Sequence, residues 1–274
     1  MSVRQADKAA RFRALHERPG AFVIPNPWDA ISARLLAGMG FEALATSSAA
    51  SANTIGRRDG GITREQALSH AQMIVEATDL PVSADLEKGF GREPEVVAET
   101  IRQAAGAGLV GCTIEDTSGD PEQPLFDLPL ATERIAAAVE AARALPFSFM
   151  LTARAHNLLF PNATVDETIH RLQAYEKAGA DVLFAPGLPD IAAVKTVCSS
   201  IAKPFNFMVG IKGKSFGVAE LEAAGVRRIS LATSLYRAAM TGLLDAIREI
   251  KDTGGFTFVD RTATTAELVQ IMGI

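Results

Sequence analysis

The chain is poor in several things that would have narrowed its chemistry at once. Aromatic residues make up only 6% of it, with one Trp and two Tyr, so no aromatic-rich surface of the kind that stacks nucleic-acid bases is indicated. Cysteine occurs twice, at Cys112 and Cys198, without a CxxC spacing. That excludes a disulfide scaffold or a cysteine-built zinc site, and both cysteines read as small core residues. No dense Lys/Arg tract is present, and 27 basic residues face 32 acidic ones for a net charge of -5. Nucleic acid and anionic membrane surfaces therefore find no electrostatic partner here. No apolar run approaches the ~18 residues of a membrane span. The segment from Ser2 to Arg18 is charged, without the apolar centre of a signal peptide, so the expected location is the cytoplasm.

What the chain does have is a recurring pattern. Its 274 residues are 48% hydrophobic, enough for a substantial core and against disorder. Short β-prone runs recur at Phe22–Pro25, Ala43–Thr46, Pro81–Asp85, Val110–Glu115, Ser148–Ala153, Asp181–Ala185, Pro204–Val209 and Arg228–Ala232. Most are continuously apolar, as strands covered on both faces are. Helical spacing lies between them: Ile135, Val139, Ala142 and Leu145, then Leu235, Ala239, Leu243, Ala246 and Ile250. Thr63 stands three residues before Gln66, the spacing of a capping box. Gly106-Ala107-Gly108 and Ala178-Gly179-Ala180 read as helix ends. Eight strand–helix units in this length predict an α/β fold, a (β/α)8 TIM-type barrel, over an open doubly wound sheet. The prediction is a single barrel domain over 1–274, with a helical lead-in over 1–20 and a C-terminal helical tail over 254–274. The helical stretch Thr264–Met272 would cap the barrel or dock on a neighbouring subunit.

Barrel chemistry sits where strands end at their C-terminal side, so the polar residues there become the candidates. They are Asn26 and Trp28 after strand one, Thr46-Ser47-Ser48 after strand two, Asp85 and Glu87 at strand three, Glu115 and Asp116 at strand four, Arg154 and His156 at strand five, and Asn206 in strand seven. Asp59 lies in the loop after strand two. Asp85 and Glu87, two apart on extended chain, can point the same way, with Glu115 one strand over. Two carboxylates ~5 Å apart at an effective dielectric of ~20 repel by about 3 kcal/mol, so the cluster calls for a cation or a proton. Hard oxygen ligands suit Mg²⁺, or Mn²⁺, better than Zn²⁺. The competing reading ties these acids to helix caps or to Arg and Lys. Arg154 suits a substrate carboxylate, which its fork binds in bidentate fashion. Thr46, Ser47 and Ser48 offer hydroxyls and amides to an anionic oxygen, or form a plain serine-rich turn. Asn206 could hydrogen-bond a carboxylate or barrel backbone.

Two motifs mislead. Gly213-Lys214-Ser215-Phe216-Gly217 spells GxSxG, yet all four histidines precede Ser215, against the order of a hydrolase triad. The same stretch ends like a phosphate loop, but Met208 stands where the first glycine belongs. Lys212 and Lys214 remain as a weaker anion site after strand seven.

The same residues resemble the isocitrate lyase/phosphoenolpyruvate mutase superfamily over nearly the whole chain. The likeness runs through Pro27-Trp28-Asp29-Ala30-Ile31-Ser32-Ala33-Arg34, Ala84-Asp85-Leu86-Glu87-Lys88-Gly89-Phe90-Gly91, Thr113-Ile114-Glu115-Asp116 and Ala153-Arg154. It implies a barrel that is usually tetrameric, often with a helix swapped between subunits, and hence a homo-oligomer, dimer or tetramer. It implies Mg²⁺ and a small 2-oxo acid or dicarboxylate substrate. It makes Asp85, Glu87 and Glu115 the metal residues and Arg154 the substrate clamp, with Arg154, Asp59 and Glu115 the catalytic candidates. Trp28, Thr46, Ser47, Ser48, Arg154 and Asn206 become the substrate contacts. Glu87 stands where the family usually carries Asp, and Thr46-Ser47-Ser48 where many members carry Ser-Gly-Gly. Isocitrate and methylisocitrate lyases carry Lys-Arg-Cys-Gly-His shortly after the Ile-Glu-Asp motif; here Thr117-Ser118-Gly119-Asp120-Pro121-Glu122-Gln123-Pro124 holds no cysteine. Pro186 stands where those lyases tend to keep Glu, and the Lys-Thr-Asn-Ser lid of the phosphonomutases is also missing. The expectation is a Mg²⁺-dependent carbon–carbon lyase or decarboxylase. The alternatives are a carbon–phosphorus enzyme and a non-catalytic 2-oxo acid binder.

Overall fold

In a computed structural model that describes residues 3–273, eight parallel strands run in the order β1-β8-β7-β6-β5-β4-β3-β2. They are β1 (Phe22–Ile24), β2 (Leu44–Ala45), β3 (Val82–Asp85), β4 (Gly111–Glu115), β5 (Met150–Arg154), β6 (Val182–Phe184), β7 (Phe205–Met208) and β8 (Arg228–Ser230). Between β2 and β1 the ladder lapses, but Ala45 N–H donates to Pro25 O at 3.0 Å. Asn26 reinforces the seam. Its amide donates to Thr46 O at 3.0 Å and its Oδ1 accepts from Leu231 N at 2.8 Å. The result is a nearly closed (β/α)8 barrel. Each strand lies at a predicted run, and β5 reaches one residue further, to Arg154.

The helices are α1 (Gln5–Glu17), α2 (Ala30–Gly38), α3 (Ser48–Thr54), α4 (Arg64–Ala77), α5 (Pro94–Gly106), α6 (Leu128–Arg143), α7 (Val165–Lys177), α8 (Ile191–Ser199), α9 (Val218–Ala223), α10 (Ser234–Thr253) and α11 (Thr265–Met272). Local chemistry sets their ends. Thr63 and Gln66 exchange side-chain and backbone bonds as the expected capping box, on α4; the short α3, which the pattern did not separate, comes between it and β2. Gly108 and Gly179, with φ of +87° and +101°, turn the chain after α5 and α7 in a region only glycine enters freely. Among the described residues no helix is long and apolar enough to cross a membrane.

The main core lies between strands and helices: Leu44, Val82, Ala84, Cys112, Ile114, Leu151 and Leu183 pack outward onto α4 to α7. A second cluster fills the lower barrel, where Phe12 and Leu15 of α1 meet Phe22, Met150 and Val182. These are first residues of their strands, so α1 closes the N-terminal end. A Cβ on Gly111 would lie 2.7 Å from Met150 O and 3.0 Å from Phe12 Cε1, so only glycine lets α1 approach this closely.

The helix after β8 does not join the core. No residue of α10 is buried, although its spacing reads as a core-facing helix. Leu243, Leu244, Ile247 and Ile250 are each at least 40% exposed. Gly254 ends it at φ +66°, and α11 packs on α2, where a Cβ on Gly38 would collide with the Ile271 carbonyl.

Candidate active site

Parallel pairing puts in-register residues on one face, and the inward set of β3 to β5 is chemical. Ser83 and Asp85, Thr113 and Glu115, and Thr152 and Arg154 alternate inward while their neighbours face the helices. Of these, Ser83, Asp85, Thr113 and Arg154 line a cavity of about 210 Å³ that also takes in Asn26, Thr46, Ser47, Ser48, Asp59, Phe184, Asn206, Arg228 and Ser230. Glu115 is not part of its lining, and Glu87 lines a separate cleft with Gly60, Lys88 and Phe90.

Arg154 ties the strands together. Its Nη1 lies 3.1 Å from Glu115 Oε2 and 3.7 Å from Asp85 Oδ2, and its guanidinium rests 5.0 Å from the Phe184 ring centre. Its Nε is buried with no partner, so donor capacity remains. Glu115 is fully engaged: Thr117 Oγ1 donates to Oε1 at 2.6 Å, and His156 Nδ1 lies 3.2 Å from Oε2. Burial would raise its carboxyl, but Arg154, His156 and Thr117 outweigh burial and hold it down to about 2.

Asp85 is less compensated. Its Oδ2 accepts from Ser48 Oγ and its Oδ1 from Glu87 N, both at 3.2 Å. Burial pushes its carboxyl up; Arg154 opposes, while Glu115 and Asp59 push further up. Glu87 is raised to about 7 by burial and by the charges of Asp85, Asp59 and Glu115. Its backbone sits at φ +50°, rare for a residue with a side chain, and its Oε1 is buried without a hydrogen bond. Arg134 holds this segment, donating to the carbonyls of Lys88, Gly91 and Arg92. Behind β4, Asp116 accepts from Tyr175 OH at 2.6 Å, Arg171 Nη1 at 3.1 Å and His156 N at 2.8 Å, which anchors the chain carrying His156.

Most of the predicted site residues therefore converge. Thr46 turns its Oγ1 to accept from Asp85 N at 3.2 Å, and Ser47 caps α3; both hydroxyl oxygens accept backbone bonds while lining the cavity, and Ser48 reaches Asp85. Asp59 lines the cavity from an exposed loop. Trp28 does not line it. β1 ends four residues earlier, and the indole stands edge-on to Tyr236 at 5.7 Å in a separate apolar cleft. The Gly213–Gly217 stretch lies on a loop rather than a strand-to-helix elbow, and Lys214 donates to Gly187 O at 3.1 Å, so neither Lys212 nor Lys214 lines the cavity. The strand-end survey missed Thr113, Phe184, Ser230 and Arg228. Arg228 left a signal, a charge at the head of an apolar strand.

Among the described residues no three His, Cys, Asp or Glu side chains converge into a ready-made metal cage. The donor chemistry nonetheless fits a hard cation. Glu115 and Asp59 raise the proton affinity of Asp85, and with Asp85 they raise that of Glu87, while the unpaired Glu87 Oε1 is a free hard ligand. Mg²⁺ keeps several waters and needs only one or two carboxylates. Asp85 and Glu87 offer those; Glu115, with both oxygens engaged, stands behind them.

These features define an α/β-barrel protein with an acidic, arginine-bridged cavity at its strand ends. Residues 12–251 match the family described as phosphoenolpyruvate phosphomutase, and the chain belongs to that family, within the PEP mutase/isocitrate lyase superfamily. A crystal structure of a Burkholderia cenocepacia J2315 protein, described only as a lyase/mutase, superposes with a TM-score of 0.96 at 49% identity, covering 98% of this chain and 97% of that one. The 2,3-dimethylmalate lyase of Eubacterium barkeri is 30% identical over 97% of this chain and 94% of its own. The oxaloacetate decarboxylase of Ectopseudomonas mendocina is 30% identical over 87% and 82%.

Proposed function

We propose that the protein is a divalent-cation-dependent lyase that breaks a carbon–carbon bond of a small 2-oxo acid or related dicarboxylate, in the manner of oxaloacetate decarboxylation. One observation carries this reading: Arg154 bridges Glu115 and Asp85 in a cavity of about 210 Å³, which suits a compact anionic acid. Relatives named 2,3-dimethylmalate lyase and oxaloacetate decarboxylase support the reaction class.

Asp85 and Glu87 would hold Mg²⁺ or Mn²⁺. When bound, the cation supplies Lewis-acid stabilisation of charge developing on the carbonyl oxygen. Arg154, which lines the cavity, receives the substrate carboxylate and limits its rotation. Glu115 fixes the guanidinium, and Thr117 and His156 fix Glu115. Ser48 orients Asp85, and Phe184 screens one face of Arg154 from water. Loss of CO₂ needs no general acid for the leaving group. Cleavage of a 2-hydroxy acid needs a base for the hydroxyl proton, and a Glu115 held down to about 2 is a poor one. That favours decarboxylation, with Asp59 the remaining base candidate.

A cationic Arg228 inside the cavity favours a second reading, cleavage of a carbon–phosphorus bond as in a phosphonopyruvate hydrolase or mutase. Purified protein is to be assayed for pyruvate from oxaloacetate and for phosphate from phosphonopyruvate, with Mg²⁺, with chelator, and as Asp85→Ala. Cation-dependent pyruvate that disappears in Asp85→Ala upholds the first reading. Phosphate alone upholds the second, and saturable binding without turnover leaves a non-catalytic 2-oxo acid binder.

A further inference from the structure

The pairing register carries the site deeper than the strand ends. Glu115, Arg154, Phe184, Asn206, Arg228 and Phe22 form one continuous in-register row. The row begins at the last residues of β4, β5 and β6 and ends at the first residues of β8 and β1. Because barrel strands tilt, it descends from the mouth to the floor, with Arg154 and Arg228 near its two ends in the same cavity.

The two arginines are held in opposite ways. Arg154 is neutralised by Glu115 and Asp85. Arg228 is 4% exposed, has no carboxylate within ion-pair distance among the described residues, and finds one acceptor, Asn206 Oδ1, 2.8 Å from its Nε. Asn206 in turn donates to Ser230 Oγ at 3.0 Å, so the amide is locked with its oxygen toward the guanidinium. Structural arginines elsewhere in this chain are paired: Arg171 with Asp116, Arg143 with Asp181, and Arg134 with a ring of three carbonyls. A buried charge without a partner is strongly destabilising, and burial lowers Arg228 to about 9. The surroundings supply no anion: Phe12, Phe22 and Ile24 are apolar, and His16 is kept neutral by burial and by Arg228 itself.

We propose that Arg228, aligned by Asn206 and Ser230, is an anion receptor at the cavity floor that takes the second anionic group of the substrate, at the far end from the 2-oxo acid held at Arg154. This deepens the lyase reading, on which it rests for the orientation of the substrate. The shared chemistry is a compact oxyanion, a carboxylate or a phosphonate.

Pyruvate and 3-sulfopyruvate differ by one terminal anion and test the receptor by calorimetry in Mg²⁺ without turnover. Wild type should bind sulfopyruvate about 100-fold tighter than pyruvate. Arg228→Gln should abolish that preference while leaving pyruvate within about threefold, and Arg228→Lys should retain part of it. A wild-type ratio near one overturns the proposal even if Arg228→Gln does not fold, and so does equal weakening of both ligands in the folded variant. If phosphate stabilises wild type but not Arg228→Gln, while the two ligands bind alike, the floor holds a free anion and the proposal fails. KM ratios between wild type and Arg228→Gln for oxaloacetate and phosphonopyruvate identify which terminal group the floor receives. Turnover with no sulfopyruvate preference sinks this inference alone; the preference without turnover sinks the lyase reading alone.

Discussion

Arg154 Nη1 lies 3.1 Å from Glu115 Oε2 across the β4–β5 ladder, and this pair sets the charge state of the site. Both side chains are nearly buried, at 12% and 11% exposure, so losing one partner strands the other. Arg154→Met should lower stability by roughly 3–5 kcal/mol, the usual penalty for breaking a buried pair. It should also reduce kcat/KM for a 2-oxo acid by about 100-fold or more, about 2.7 kcal/mol of transition-state stabilisation. Chemical denaturation and steady-state kinetics check both; unchanged kinetics would remove Arg154 from the site.

The surplus of acid around Asp85 and Glu87 makes cation binding readable without any assay of turnover. Mg²⁺ or Mn²⁺ at 100 times its Kd should stabilise the wild type by about 2.7 kcal/mol. Asp85→Ala should show no such gain. Asp85→Asn, which removes one charge from the cluster, should melt higher than wild type in chelator and lose the response to cation. Thermal melts across a Mg²⁺ titration decide it, and an equal response in all three proteins argues against Asp85 as a ligand.

Much of this site was legible in the sequence because strand ends are marked by a change from continuous apolar residues to acid, arginine or hydroxyl. Asp85, Glu115 and Arg154 each close an apolar run, and the fold brings such ends together. Three things were hidden. Trp28 shares a strand end with Asn26, but the turn into α2 carries its ring to another cleft. α10 has the spacing of a core helix, and spacing does not say whether a helix packs on its own barrel. Arg228 enters the cavity because a tilted register row connects the end of one strand to the beginning of another, a relation that only the pairing reveals.

His16 gives a pH signature separate from the active site. It stands edge-on between Phe12 and Phe22, at 4.8 and 4.9 Å. Its Nδ1 donates to Phe12 O at 2.8 Å, and its Nε2 has no partner. Burial lowers it to about 3, with the charges of Arg228 and Arg13 acting in the same direction. Between that value and the ordinary histidine range of about 6.5 the unfolded chain binds the extra proton. Stability should therefore fall as pH falls through this window, by up to about 1.4 kcal/mol per pH unit from this group. His16→Phe removes the titration and should flatten that part of the profile, measured by urea denaturation from pH 7 to pH 4. A slope identical to wild type would mean that His16 is not neutral in the folded protein.

Arg134 stands outside the cavity yet should govern the proposed cation binding at Glu87. Its guanidinium lies 4.3 Å from the Phe126 ring centre and gathers three carbonyls of the 88–92 segment, directly after Glu87 and its left-handed backbone. Arg134→Met leaves those buried carbonyls without a donor and should cost roughly 2–4 kcal/mol. Glu87 would lose its fixed placement, so cation affinity should weaken by about tenfold, with Arg134→Lys restoring part of it. Stability loss at unchanged cation affinity would limit Arg134 to a folding role.

The exposed stripe on α10 bears on assembly. Leu243, Ile247 and Ile250 recur at i, i+4 and i+7, Leu244 lies beside them, and Phe256 and Val259 extend the patch beyond Gly254. A long helix with an apolar face and no buried residue is poorly suited to water, and patches of this kind mark protein–protein contacts. The proposed occupant is a second copy of the chain, in a homo-oligomer, because α10 directly follows β8 and its apolar spacing would otherwise serve the barrel's own core. Leu244→Glu with Ile247→Glu places two charges in that contact. Sedimentation should then report a smaller species than wild type at equal concentration, with the fold retained by circular dichroism. Because the site's acids and both arginines come from the barrel of one chain, cation binding should persist in the dissociated protein, which separates loss of assembly from loss of the site. A wild type that sediments as a monomer at all concentrations would exclude this contact.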